Sequence, residues 1–74
     1  MQADYQAYNA GVTVLRMRHL REKLGISRST IYEKLNPKSP RYDPSFPKPI
    51  KLGATAVGWI ESEVDLWIMK NRSD

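Results

Sequence analysis

The chain has 74 residues, a length that fits one small domain with a modest core. It contains no cysteine, which excludes a disulfide framework and a cysteine-ligated zinc site and fits a reducing cytosol. The net charge is +4, but residues 16–51 hold ten basic and three acidic residues, so this middle carries +7 and the two ends −3. A basic middle is typical of proteins that bind nucleic-acid phosphates, although scattered lysine and arginine also simply solvate small proteins.

Residues 1–11 show no helical or strand periodicity, and we interpret them as a flexible arm ahead of a domain at residues 12–74. They have neither the basic nor the apolar region of a signal peptide, so none is expected. No apolar run approaches the ~20 residues of a membrane span, so no membrane partner is expected. Val12 and Val14 alternate with Thr13, which predicts a short strand ahead of the first helix.

The segment from residue 17 to residue 35 predicts two short helices joined by a tight turn. Met17, Leu20 and Leu24 are spaced three and four residues apart and therefore share one face of the first helix. Gly25 suits the left-handed conformation that ends many helices. Ser27 is a good N-cap for a second helix, which places that helix directly after the turn.

The second helix has one apolar side and one polar side. Ile26 and Ile31 occupy the positions of a hydrophobic staple around the cap, and Ile31 and Leu35 form the buried side. The opposite side is polar, with Arg28 at its start. A helix, a glycine turn and a polar-faced second helix form the helix-turn-helix pattern, although any antiparallel helix pair with this turn looks similar.

All five prolines fall in residues 36–49, so no helix is expected to cross this segment. Tyr42 and Phe46 are predicted to anchor it on the domain, while Lys38 and Arg41 point to phosphate contacts. The chain behind it is too short for another domain, which argues against an inter-domain linker.

A β-hairpin is predicted after the prolines, because Ile50 and Leu52 alternate with Lys51 ahead of a turn rich in small residues. Beside a helix-turn-helix we interpret it as a wing that lies over the DNA backbone or reaches the minor groove. Its expected contacts are Lys48, Lys51 and Thr55. The alternative is a hairpin that only closes the core, and both roles are compatible because the two faces of a strand differ.

A last helix is predicted over residues 61–72, with Val64, Trp67 and Ile68 as its apolar stripe. Its first turns are acidic and its last turn is basic, which matches the helix dipole. Trp59 and Trp67 are expected to lock it over the hairpin as core residues, so that its acidic face points away from DNA. That face consists of Glu61, Glu63 and Asp65.

Three blocks of this sequence resemble the AlpA family of small phage and genomic-island regulators. They are Gly-Ile-Ser-Arg-Ser-Thr-Ile-Tyr at residues 25–32, Phe-Pro-Lys-Pro-Ile-Lys-Leu-Gly at 46–53, and Ala-Val-Gly-Trp at 56–59 leading into Glu-Val-Asp-Leu-Trp at 63–67. The blocks occur in the family's order. The resemblance implies a single winged helix-turn-helix domain, mainly α with a small β-hairpin wing, related to MerR-type domains and phage excisionases.

The resemblance implies two linked activities for a protein of a prophage or genomic island. The first is an excisionase, or recombination directionality factor, that assists an integrase; the second is transcription regulation of an integrase gene. Both need double-stranded DNA, and the further expected partners are an integrase or recombinase and neighbouring copies of the chain on DNA. A third interpretation is a protein-interaction module that binds a recombinase or regulator through the acidic face without DNA.

The predicted DNA contacts fall into three groups. The recognition-helix contacts are Arg28, Ser29, Thr30, Tyr32 and Glu33. The backbone contacts are Arg18, Arg21, Lys23, Lys34, Lys38 and Arg41. The wing contacts are Lys48, Lys51 and Thr55.

Two features depart from the family pattern. The loop at residues 36–45 is longer than the short turn expected between recognition helix and wing. Glu33 stands where many relatives look basic. Three roles are open for it: it accepts a hydrogen bond from a cytosine N4, it pairs with Lys34 or Arg28, or it only moderates non-specific binding.

An enzyme is not expected from these residues. The chain has one histidine, His19, no glycine-rich phosphate loop and no carboxylate pair in an evident pocket. We expect His19 to be a surface or packing residue, and we expect no cofactor and no metal.

Overall fold

The computed structural model of the chain describes residues 12–72, which form three helices and a three-stranded antiparallel sheet. The strands are β1 (Val14–Leu15), β2 (Ile50–Lys51) and β3 (Val57–Ile60), and the helices are α1 (Met17–Leu24), α2 (Arg28–Leu35) and α3 (Glu61–Lys70). The predicted arm at residues 1–11 lies outside the described residues. Among the helices described, none has the length and apolarity to cross a bilayer.

The sheet has β3 at its centre, with β1 and β2 as its edges. Leu15 lies opposite Trp59, and Ile50 lies opposite Gly58. The N–H of Leu52 donates to the carbonyl of Ala56 at 2.8 Å and closes the β2–β3 hairpin. The predicted hairpin is therefore confirmed, and the short strand predicted ahead of the first helix is confirmed as β1, which pairs with the other edge of β3.

The core draws one large side chain from nearly every part of the described chain. β1, each helix, β3 and the proline-rich loop each supply one residue, and β2 supplies none. These buried residues are Leu15, Leu20, Ile31, Phe46, Trp59 and Val64. A core this small depends on each member, and it fixes α2 against α1 through the buried Ile31 and Leu20.

The helix-turn-helix forms as the sequence predicts. Gly25 adopts φ 67° and ψ 29°, and its N–H donates to the carbonyl of Arg21 at 2.8 Å. The Ser27 hydroxyl then accepts from the N–H of Thr30 at 3.2 Å and caps α2. Because both helix ends are closed by the turn itself, the direction of α2 is set locally.

Gly25→Ala is expected to destabilise the domain by about 1 kcal/mol, because a Cβ in the left-handed region is strained. The space around Gly25 is open, so no clash adds to this cost. Gly53 has equally open space without a positive φ and is the matched control. Urea unfolding should show a lower midpoint for Gly25→Ala than for Gly53→Ala, and equal midpoints would contradict the assignment.

The last helix differs from its prediction at two points. It ends at Lys70 and not at residue 72, because the side chain of Asn71 donates to the carbonyl of Trp67 at 2.8 Å. Ile68 lies on the flank of the helix and is exposed, whereas Val64 faces the core. Trp67 packs against the core as predicted, and its ring also meets that of Phe46 in the proline-rich loop edge-on at 5.0 Å.

Candidate nucleic-acid interface

The outer face of α2 presents polar side chains to solvent. Ile31 is fully buried, and this fixes the rotation of the helix about its own axis. Arg28, Ser29 and Tyr32 then point away from the core together, and Tyr32 is 52% exposed. Because Arg28 and Tyr32 are one turn apart, they form a continuous ridge of donors at the start of the helix.

Thr30 is less available than its neighbours. The hydroxyl of Ser27 lies 2.9 Å from the Thr30 hydroxyl and 3.2 Å from that of Ser29. Thr30 is half-buried, so its side chain serves the cap at the beginning of α2. Thr30 therefore has a partner within the domain, and its role in DNA recognition stays a prediction.

Glu33 pairs with a residue of the loop and not with Lys34 or Arg28, the partners considered from the sequence. Its carboxylate lies 3.7 Å from the guanidinium of Arg41. Both side chains remain largely in water, where an ion pair contributes about 0–1 kcal/mol. The pair therefore does little for folding, and it brings a cation of the loop next to the exposed face of α2.

The loop after α2 consists of consecutive turns that each begin with a polar residue before a proline. The side chain of Asn36 accepts from the N–H of Lys38 at 3.0 Å, and that of Ser39 accepts from Arg41 at 3.1 Å. Asp43 accepts from Ser45 in the same way at 2.9 Å. These turns, with proline at the middle position, restrict the backbone strongly.

The turns place the exposed Lys38 and Arg41 directly after their prolines, beside the end of α2. The sequence contains the signal for these turns, because Asn, Ser or Asp before proline favours a turn through its own side chain. The prediction of a non-helical segment anchored by Tyr42 and Phe46 did not include these turns. The loop is therefore an ordered element that presents basic side chains.

Asp43 ties this loop to two helices. Its N–H donates to the carbonyl of Lys34 at 2.9 Å, at the end of α2. Its carboxylate accepts from the indole N–H of Trp67 on α3 at 2.9 Å. Phe46 is buried as predicted, whereas Tyr42 stays exposed beside a cavity of about 400 Å³ next to α2. The tie from Asp43 replaces the anchoring expected of Tyr42.

The loop is expected to loosen only in strong acid. Hydrogen bonds from Ser45 and then from Trp67 hold the pKa of the Asp43 carboxyl below its ordinary value of 3.8. A lowered folded pKa means that the stabilisation is fully present above about pH 3.8 and is lost as the pH falls through the folded value. The Trp67 indole N–H resonance should therefore shift below that pH.

This shift is measurable by two-dimensional NMR of the full chain in an acid titration. Asp43→Asn should remove it, and Glu33→Gln, which changes an exposed carboxylate away from the indole, should leave it. An indole resonance that titrates at or above the ordinary value of 3.8 would contradict the assigned contact.

Besides Arg41, which pairs with Glu33, two more of the predicted backbone contacts are engaged within the domain. The ammonium of Lys23 lies 3.0 Å from Glu61 and 3.0 Å from Asp65, and these carboxylates raise the pKa of Lys23. Lys34 lies with its ammonium 5.4 Å from the centroid of the Trp67 ring. Lys23 thus lies against α3, and two of the three acidic residues of α3 already have a partner.

The basic side chains of α1 and the wing that remain among the predicted DNA contacts are exposed to solvent. On α1 these are Arg18, whose guanidinium lies 3.4 Å from the ring of exposed His19, and Arg21. In the wing, Lys48, Lys51 and Thr55 are exposed, and Lys51 lies on β2 at the edge of the sheet. Among the residues that the structure describes, none of these basic side chains forms an ion pair.

Sequence comparisons give an independent view of this chain. A protein-family model described as "Prophage CP4-57 regulatory protein (AlpA)" matches residues 13–72. A protein described as "DNA-binding transcriptional activator AlpA" from Escherichia coli (strain K12) is 52% identical over 59 residues, which cover 80% of this chain and 84% of the relative. No solved structure shows significant similarity to the chain.

Proposed function

Because the chain belongs to the AlpA family, we propose that it is a DNA-binding regulator whose helix α2 enters the major groove. The relative from E. coli is described as a DNA-binding transcriptional activator, and the similarity extends over most of both chains. The same activity is therefore the first function to test here.

The exposed face of α2 is the observation that carries this proposal. Arg28 and Tyr32 project from a helix that is capped, buried on its other side and fixed in rotation. An α-helix fits the major groove, where a guanidinium can bond to O6 and N7 of guanine. The loop with Lys38 and the wing with Lys51 flank the helix in sequence and supply phosphate contacts.

Variants of Lys38 and Lys23 test whether the proposed surface, and not positive charge elsewhere on the domain, contacts DNA. Lys38→Ala is expected to lower the salt dependence of duplex binding, with the slope of log K against log salt falling by about 0.9. Lys23→Ala removes the same charge but should leave the slope unchanged, because Lys23 is engaged by Glu61 and Asp65. Fluorescence anisotropy across a salt series measures both, and equal losses for the two variants would contradict this surface.

The biological role is proposed as transcription regulation in a mobile element. The words "regulatory protein" and "transcriptional activator" in the matched descriptions favour it. The second candidate, an excisionase that assists an integrase, uses the same DNA-binding surface and is favoured by the prophage origin of the matched family. DNA binding also implies a cytoplasmic location, with the protein on the nucleoid.

A footprint of the purified protein distinguishes the two roles. The probe spans one end of the encoding element and the nearby integrase promoter. Protection confined to the promoter supports regulation, whereas repeated sites beside the recombination junction support excision, with an in vitro excision assay to follow. An absence of protection at low and physiological salt would refute DNA binding and favour the protein-interaction module.

A further inference from the structure

The side of α3 that faces away from the core is apolar at its centre and charged at its ends. Val64 is fully buried on the inner side of the helix, and Leu66 and Met69 lie on the outer side. They are 62% and 58% exposed, the highest fractions among the large hydrophobic side chains of residues 12–72. Glu63 lies at one end of this outer face and Lys70 at the other, and both are exposed.

The spacing makes this face complementary to itself. Glu63, Leu66 and Lys70 follow at intervals of three and four residues and therefore form one stripe along the helix. If a second α3 lies across the first in the antiparallel direction, Leu66 meets Leu66 of the other copy near the two-fold axis. Glu63 of each copy then lies opposite Lys70 of the other, which is the reciprocal pattern of an isologous interface.

The two charges at the ends are available for such pairing. Within the described chain, neither Glu63 nor Lys70 forms an ion pair, whereas Glu61 and Asp65 on the flank of the helix are held by Lys23. Ser45 and Pro47 of the loop line a groove together with Glu63, Leu66 and Lys70. None of the proposed DNA contacts lines that groove, so pairing through this face does not use them.

We propose that the outer face of α3, formed by Ser62, Glu63, Leu66, Met69 and Lys70, is the surface by which two copies of this chain pair in the antiparallel direction. A helix of 10 residues is about 15 Å long, too short for the ~1,200 Å² of a stable interface. The dimer is therefore weak in free solution, with a Kd on the order of 0.1–1 mM. Two copies that occupy adjacent sites on one duplex would pair far more readily, because their effective concentration is higher.

A charge-reversal cycle on the free, full-length protein tests this proposal, and it does not depend on DNA binding. Sedimentation equilibrium is measured for the wild type, Glu63→Lys, Lys70→Glu and the double variant. Each single change sets like charges against each other and should weaken association at least about threefold. The double change should restore it, although it places both charges unfavourably for the dipole of α3 and lowers helix stability.

Leu66→Glu should abolish association, and Leu52→Glu, which changes an exposed apolar residue of the β2–β3 hairpin, should leave it intact. Rescue in the double variant supports the antiparallel pairing. A wild type that stays monomeric up to about 1 mM, an association that survives Leu66→Glu, or a double variant without rescue would each overturn it.

Discussion

Arg28→Ala should reduce the affinity for a cognate duplex by roughly 5- to 150-fold at fixed salt, the equivalent of the ~1–3 kcal/mol that a bidentate arginine–guanine contact contributes. Arg28 lies at the start of α2, exposed and without a partner that competes for its guanidinium among residues 12–72. The loss should appear mainly at one base pair, because a base contact carries sequence information that a phosphate contact lacks.

Two control variants separate base reading from charge. Arg28→Lys keeps the positive charge but loses the planar fork, so it should retain non-specific affinity and lose discrimination at that base pair. Arg18→Ala on α1 should weaken cognate and non-specific binding alike, as expected for a phosphate contact. Anisotropy titrations against a panel of single-base variants measure these effects. Unchanged affinity and site preference in Arg28→Ala would remove α2 from its assigned role.

The second large effect concerns the core. Trp59→Ala should cost about 3–5 kcal/mol through the cavity that it leaves. The change also leaves the carbonyl of Pro47 without its donor, since the Trp59 indole N–H bonds to it at 3.1 Å in a buried position. A domain of this size has a free energy of unfolding of only a few kcal/mol, so the variant should be largely unfolded at 25 °C.

Trp59→Phe keeps a six-membered ring in the core but loses the five-membered ring with its N–H donor, so it should remain folded with a lower melting temperature. Circular dichroism during heating distinguishes the two variants. A cooperative transition near that of the wild type for Trp59→Ala would contradict the central position of Trp59, which is 1% exposed on the middle strand.

The helix-turn-helix was predictable because its signals are local. Gly25 and Ser27 each determine a backbone conformation or a hydrogen bond within four residues of themselves, and the apolar spacing of α1 needs no knowledge of the remaining chain. The wing was predictable for the same reason, since alternation and a turn define a hairpin within one short segment.

The contacts that the sequence analysis missed connect residues far apart along the chain. The pair formed by Lys23 with Glu61 joins positions 38 residues apart, and no periodicity reports it. The bond from Trp67 to Asp43 depends on how α3 lies against the loop, so the sequence did not indicate this contact. By contrast, the turns of the proline-rich loop depend on neighbouring residues only, and a polar residue before each proline could have predicted them.

Two predicted site residues, Lys23 and Glu33, have ion-pair partners that the sequence did not indicate, again because those partners lie elsewhere along the chain. In the sequence, Lys23 and Arg21 were equally good candidates for a phosphate contact, because both are basic residues of α1. Only the position of α3 shows that the charge of Lys23 is already compensated by Glu61 and Asp65. Glu33 received a partner from the loop, because the turn around Ser39 directs Arg41 back towards α2. Both differences refine the surface that would contact DNA without moving its centre from α2.

Dimethyl sulfate protection on the footprinted site is the most direct measurement of the central proposal. The reagent methylates N7 of guanine in the major groove and N3 of adenine in the minor groove, so it reports which groove is occupied. We predict protection of at least one guanine N7 under α2, with Arg28→Ala restoring methylation there and leaving the surrounding pattern intact. Protection of minor-groove adenines alone, or a guanine pattern insensitive to Arg28→Ala, would contradict insertion of α2 into the major groove.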